Sequence, residues 1–154
     1  MFFRSLSAPP PPAFSNQAPP VAAPAPTAGP RGRILVVDDS PMIRAAVTRT
    51  LVQNNYEVTQ AENGRLGLDT WAKDQAAFDL VLSDVFMPEL DGLSMAREIR
   101  QLSRTVPVML MSSKLDENTR WIAEEAGFRL LPKPFKDEVL LILVDRLIRT
   151  VRPA

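Results

Sequence analysis

The chain has 154 residues, no cysteine, no histidine, and 18 basic against 18 acidic side chains, so its formal net charge is zero. This composition excludes a disulfide framework, a thiolate nucleophile, zinc–thiolate ligation and imidazole catalysis. The neutral balance speaks against nucleic acid as the main partner, because such binding usually shows as a basic excess.

The first thirty residues hold nine of the fifteen prolines, seven alanines and one charge, Arg4. Runs such as Ala8-Pro9-Pro10-Pro11-Pro12-Ala13 favour extended polyproline geometry without a packed core. Residues 1–31 are expected to be a disordered Pro/Ala-rich extension, and 32–152 a single domain. No apolar stretch of secretory length follows Met1-Phe2-Phe3-Arg4, and the longest later apolar run, 139–144, is too short to span a bilayer. A soluble, cytoplasmic protein without membrane contact is the expectation.

From residue 33 strand and helix signals alternate five times. Residues 33–37 are a β-branched run. Ser40 and Pro41 suit a helix N-cap and first helical position, and Ile43, Val47 and Leu51 carry the helix to about residue 54. Residues 56–61 read as a strand, Asn63-Gly64 as a turn, and 66–73 as a short helix. Residues 79–83 form an almost wholly apolar strand, as a position covered on both faces requires. A loop at Pro88 and Asp91-Gly92 leads into a helix at 93–102. A strand at 106–111, a helix at 118–126 stopped by Gly127, a weak strand at 128–131 and a helix from 136 to about 151 complete the pattern. Trp71 and Trp121 both lie at helical spacing with apolar residues and are expected in the core.

Such alternation implies an α/β fold, a doubly wound parallel sheet of five strands with helices on both faces. The flavodoxin-like order 2-1-3-4-5 places the first and third strands side by side, with the ligand crevice at their carboxyl ends. Asp38 and Asp39 follow the first strand, Asp84 the third, and Lys133 the fifth. Three acids at one edge need a cation, and a hard divalent ion such as Mg²⁺ fits oxygen ligands. A lysine beside that ion points to an entering anion, most simply a phosphoryl group. Taken singly, each residue has an ordinary explanation: Asp38-Asp39 as a helix cap, Asp84 as a strand-end acid, Lys133 as a solvated loop residue, Ser112 as a backbone-bonding loop serine. The combination on one edge does not.

Five separated elements carry a resemblance: Val36-Val37-Asp38-Asp39-Ser40; Asp84 with Met87-Pro88 and Asp91-Gly92; Pro107-Val108-Met109-Leu110-Met111-Ser112-Ser113; Ala126-Gly127; and Lys133-Pro134-Phe135. With these, residues 31–151 resemble the receiver domains of bacterial two-component response regulators. The resemblance implies that Asp84 is the phosphoacceptor, taking a phosphoryl group from a sensor histidine kinase or a histidine phosphotransfer protein. It implies that Asp38, Asp39, Asp84 and the backbone carbonyl of Phe86 hold Mg²⁺. Ser112 would turn its hydroxyl toward the new phosphate and Lys133 would pair with a phosphate oxygen. The chain would be a phosphoacceptor that assists its own modification rather than an enzyme.

Two departures matter. The family usually has Tyr or Phe three residues before the lysine, and here that position is Leu130, unless Phe128 takes its place through a shifted register. Phe86 and Lys114 flank the approach to the phosphate, where a bulky Phe86 would hinder attacking water. The last helix is apolar on more than one face, so a homodimer or partner surface is expected there. Arg146, Arg149 and Arg152 recur along it, either as a solvated basic end or as an anion site for a nucleotide second messenger.

The chain stops soon after its last helix, which leads to the expectation of a stand-alone regulator. It would signal by phosphorylation-dependent protein contact through the fourth helix, fifth strand and fifth helix, as chemotaxis-type and phosphorelay-shuttle regulators do. The rivals are a phosphate-independent or nucleotide-binding adaptor on the same fold, and an unrelated Mg²⁺-dependent phosphatase. The phosphatase would want a carboxylate two residues after its nucleophile, where Phe86 stands.

Overall fold

The computed structural model describes residues 29–152; the expected disorder of the extension falls on residues outside that range except at its end. Five strands, β1 (Arg33–Val37), β2 (Glu57–Ala61), β3 (Leu80–Asp84), β4 (Val108–Ser112) and β5 (Arg129–Pro132), alternate with five helices, α1 (Pro41–Gln53), α2 (Gly64–Lys73), α3 (Gly92–Leu102), α4 (Glu117–Ala126) and α5 (Asp137–Val151). All strand pairings are parallel, in the order β2-β1-β3-β4-β5. The expected elements and strand order are therefore present, with ends displaced by one or two residues.

Side-chain alternation along the strands divides the core in two, as a period of two demands. Ile34, Val36, Leu80, Leu82, Met109 and Met111 face α1 and α5, where Val47, Leu51, Leu140, Val144 and Ile148 cover them. Leu35, Val37, Val81, Val108 and Leu110 face the other helices, meeting Leu68, Trp71, Met95, Ile99, Ala123 and Phe128. The central strands β1, β3 and β4 are buried on both faces, which is why they read as continuous apolar runs.

Four helices begin on a side-chain cap. Ser40, Asn63, Asp91 and Asp116 accept from the amides of Ile43, Leu66, Ser94 and Thr119, satisfying donors that a helix start leaves free. Gly127 ends α4 with φ +76°, a left-handed conformation that glycine adopts without steric cost.

Two expectations need correction, and the surface of α5 gains detail. Trp71 is fully buried, but Trp121 lies on the outer face of α4, 62% exposed. The small residues Thr119 and Ala123 turn inward on that helix instead. Arg31 belongs to the domain rather than to the extension. Its amide donates to the Asn55 carbonyl (2.8 Å), its guanidinium reaches Asp145 (3.0 Å), and it stacks on Tyr56 at 4.8 Å. The surplus apolar surface of α5 is mostly absorbed by its own core, since Leu141, Leu143 and Leu147 pack partly against it. Val139 and Ile142 remain exposed.

Candidate functional site

The register of the sheet assembles the site. Val37 pairs with Ser83, so Asp38 emerges from β1 beside Asp84 at the end of β3. Ser112 pairs with Pro132, so Lys133 leaves β5 one step beyond the end of β4. Its amide donates to the Ser112 carbonyl (2.8 Å). The lysine side chain then crosses β4 to the acids: Nζ lies 3.1 Å from Asp38 Oδ2 and 3.2 Å from Asp84 Oδ1. Carboxylate oxygens of Asp38, Asp39 and Asp84 all lie within 4.8 Å of one another. Four residues separated by up to 95 positions thus meet at one point.

Backbone contacts position Asp38 and the Asp84 strand end. Asp38 is fully buried and accepts from the Ser40 amide (2.9 Å), which turns the chain from β1 into α1. Arg44, one turn into α1, donates to the Asp38 carbonyl (2.7 Å) and fixes the same turn from outside. Behind Asp84, Gly92 packs so closely that a Cβ there would lie 1.9 Å from the Asp84 carbonyl oxygen. Only glycine allows the loop after β3 to fold back this tightly, and the Gly92 amide donates to the Val85 carbonyl (2.7 Å). Arg44 and the seat at Gly92 are functional supports that sequence reasoning missed. The Asp91-Gly92 pair signals a loop, but not what the glycine packs against.

The electrostatics favour a cation. Burial raises the Asp84 pKa above its ordinary value, and the neighbouring Asp38 and Asp39 charges raise it further, while Lys133 lowers it. Three carboxylates against one ammonium leave a formal excess of two negative charges. A hard donor set with that excess fits a divalent ion that keeps several waters.

These residues open into a cleft of ≈ 580 Å³. Ile43, Ala46 and Val47 from α1 and Pro134 and Phe135 after β5 give it apolar walls. Phe86 borders the cleft with its side chain half exposed. Ser113, not Ser112, lines it.

Ser112 is buried, and its hydroxyl both accepts from the Lys114 amide and donates to the Lys114 carbonyl, each at 3.0 Å. In this state it is a loop-bonding serine. Leu130 packs on the core cluster beneath α3 and α4. Phe128 does not replace the missing aromatic: it is buried in that cluster with Arg100 over its ring at 5.5 Å. Of the arginine row at the end of α5, Arg149 pairs with Asp145 (3.0 Å) and Arg152 with Asp79 (3.4 Å).

Comparison with known proteins decides the family. Residues 34–145 match the response regulator receiver domain. The chain belongs to that family.

This receiver domain is 38% identical over 122 residues to the response regulator MprA of Mycolicibacterium vanbaalenii, covering 79% of the chain and 52% of the relative. The MprA of Mycobacterium tuberculosis H37Rv is 37% identical, with the same coverage. The chain spans about half the length of these curated relatives. Among solved structures it is similar to a receiver domain protein from Clostridium thermocellum, with TM-score 0.75 and 26% identity, over 79% of this chain and 97% of that one. It is also similar to the Vibrio cholerae chemotaxis protein CheY4, with TM-score 0.70 and 33% identity, over 75% and 98%. Among the described residues no helix is long and apolar enough to cross a membrane.

Proposed function

We propose that the chain is the phosphoacceptor of a two-component pathway and that Asp84 receives the phosphoryl group from a phosphohistidine on a sensor kinase or phosphotransfer protein. The observation that carries this is the position of Asp84. Its carboxylate sits between two further acids and one lysine, at the mouth of an apolar-walled cleft.

An Asp84 carboxylate oxygen attacks phosphorus, the bond to the imidazole nitrogen breaks, and the imidazole leaves with the electron pair. Burial penalises the Asp84 anion, and Lys133 offsets that penalty. Lys133 Nζ, already 3.2 Å from the attacking group, exchanges that contact for a phosphoryl oxygen and keeps Asp38. Asp38, Asp39, Asp84 and the Phe86 carbonyl would hold Mg²⁺, which when bound neutralises charge on the phosphoryl oxygens. The apolar walls from α1 and the segment after β5 suit a partner that must exclude water while presenting its histidine. Phe86 at the rim limits access of hydrolytic water afterwards.

The phosphoryl group carries roughly 1.5 to 2 negative charges, by analogy with other phosphorylated side chains, in place of the single charge of the carboxylate. Ser112 then has a stronger acceptor than the Lys114 backbone, and its departure frees the loop between β4 and α4. That loop and Lys133 lead to the α4–β5–α5 surface, through which the protein signals to a downstream protein. With Leu130 in place of an aromatic, the change is concentrated in the loop.

Beryllofluoride or acetyl phosphate with Mg²⁺ tests this. Modification should map to Asp84, vanish in Asp84→Asn and in excess chelator, and move the amide resonances of residues 112–116. Phosphate on another residue, or changes confined to α1 and α2, would overturn the reading.

A further inference from the structure

A second cavity lies far from Asp84. It has a volume of ≈ 660 Å³ and is lined by Arg97, Arg100, Gln101 and Arg104 with Ala126 and Phe128. The phosphoacceptor stands at the carboxyl edge of the sheet. This cavity is bounded by the end of α3, before β4, and by Phe128, before β5, so it belongs to the opposite edge.

The three arginines are spaced three and four residues apart, which puts their side chains on one side of the chain as it leaves α3. Like charges at this spacing repel. Among the described residues no carboxylate lies within 4.0 Å of any of them, although six ion pairs form elsewhere. The α3 dipole favours cations in the last turn, but Arg97 lies at mid-helix. Arg100 is only partly exposed, and its ring contact with Phe128 and its bonds to the Ser103 and Val106 carbonyls all fix its plane. Those bonds use Nη1 alone. The Nε and Nη2 donors have no protein partner among the described residues, in a group that burial already disfavours as a cation. A held, partly buried guanidinium flanked by two exposed ones gathers three positive charges at the cavity.

We propose that this cavity binds a polyphosphate group, carried by a nucleotide or free as pyrophosphate. The planar guanidinium forks match phosphate oxygens two at a time. The volume lies in the range of small-molecule sites, roughly 300–1,000 Å³. Ala126 gives an apolar edge beside the charges, and the Arg100 plane, which covers Phe128, offers a stacking face to a nucleotide ring but not to pyrophosphate.

The test uses the full chain without added metal, so that the acid cluster does not compete. ATP, pyrophosphate, adenosine and a polyglutamate peptide are titrated at millimolar concentration against the amide resonances. ATP and pyrophosphate should shift Gln101, Ala126 and Phe128 saturably and leave Asp84 unmoved. Tighter binding of ATP assigns the nucleotide as source, and equal affinity assigns free polyphosphate. Arg97→Gln combined with Arg104→Gln, both at exposed positions, should weaken binding about tenfold or more, the loss of at least one charge-assisted contact. The beryllofluoride response at Asp84 should persist in that variant. Silence toward both phosphates overturns the proposal, as does unchanged affinity in the double variant. Binding by adenosine as tight as by ATP, or by polyglutamate alone, overturns it in favour of a base pocket or an acidic protein partner.

Discussion

Asp84 is the residue on which stability and chemistry oppose each other. Burial, then Asp38 and Asp39, raise its pKa in the fold, against the lowering effect of Lys133. A raised carboxyl means that the folded state binds the proton more tightly than the unfolded chain does. The stability from this group is fully present below the ordinary carboxyl pKa and is lost as pH rises through the raised one. In chelator at neutral pH, Asp84→Asn should therefore melt above the wild type, and the gap should close as pH falls into the carboxyl range. Melting curves across that range check this. An Asn variant that melts lower at neutral pH would show that the pair with Lys133 outweighs burial. Added Mg²⁺ should reverse the order. A ligand at ten times its Kd stabilises by about 1.4 kcal/mol, and only the wild type keeps the third acid. The identities of Asp38, Asp39, Asp84 and Lys133 were legible because strand ends in a parallel sheet converge. The bonding of Ser112 to Lys114 matches the ordinary reading of a loop serine, while a turn of its hydroxyl toward phosphate belongs to the proposed chemistry.

At the scale of elements, the sequence pattern located the five strands and five α-helices, though not the short 3-10 turn at Gln75–Ala77, and did not fix how each flank is covered. Trp71 and Trp121 show why. Both sit at helical spacing with apolar residues, yet α2 lies over the sheet with Trp71 fully buried, while α4 turns Thr119 and Ala123 inward and leaves Trp121 outside. Which flank meets the sheet depends on the neighbouring helices, far away in sequence. The two residues should respond differently to truncation. Trp71→Ala removes a fully buried ring and should cost about 3–5 kcal/mol, whereas Trp121→Ala should stay within about 0.5 kcal/mol. Urea denaturation of both variants measures this. A destabilised Trp121→Ala would mean that α4 leans on this side chain after all. If the α4 face meets a partner, Trp121→Ala should instead weaken that contact.

For the molecule as a whole, one strand order brings together everything the proposed chemistry uses, and composition sets the expected boundary between extension and domain at residue 31. The boundary itself was misplaced. The expected extension runs to residue 31, but Arg31, just before β1, reaches the α1–β2 turn and α5 through Asn55, Tyr56 and Asp145. A signal from one arginine in a proline-rich stretch is invisible without those distant partners. Removing residues 1–28 should leave the melting temperature unchanged. Arg31→Ala should lower it by a few degrees, the effect of about 1 kcal/mol of lost stacking and hydrogen bonding in a domain of this size. A marked loss on removing 1–28 would show that the extension docks on the domain.

The contrasting surroundings of the two indoles also make the unlabelled protein its own optical probe. Trp71 is shut away with its Nε1 unbonded, whereas Trp121 stands in water. Its emission should therefore be a sum of two bands, a short-wavelength one that iodide cannot reach and a long-wavelength one that iodide extinguishes. A partner settling on α4 would protect only the second band, and melting of the core would red-shift only the first. One cuvette thus separates docking from unfolding.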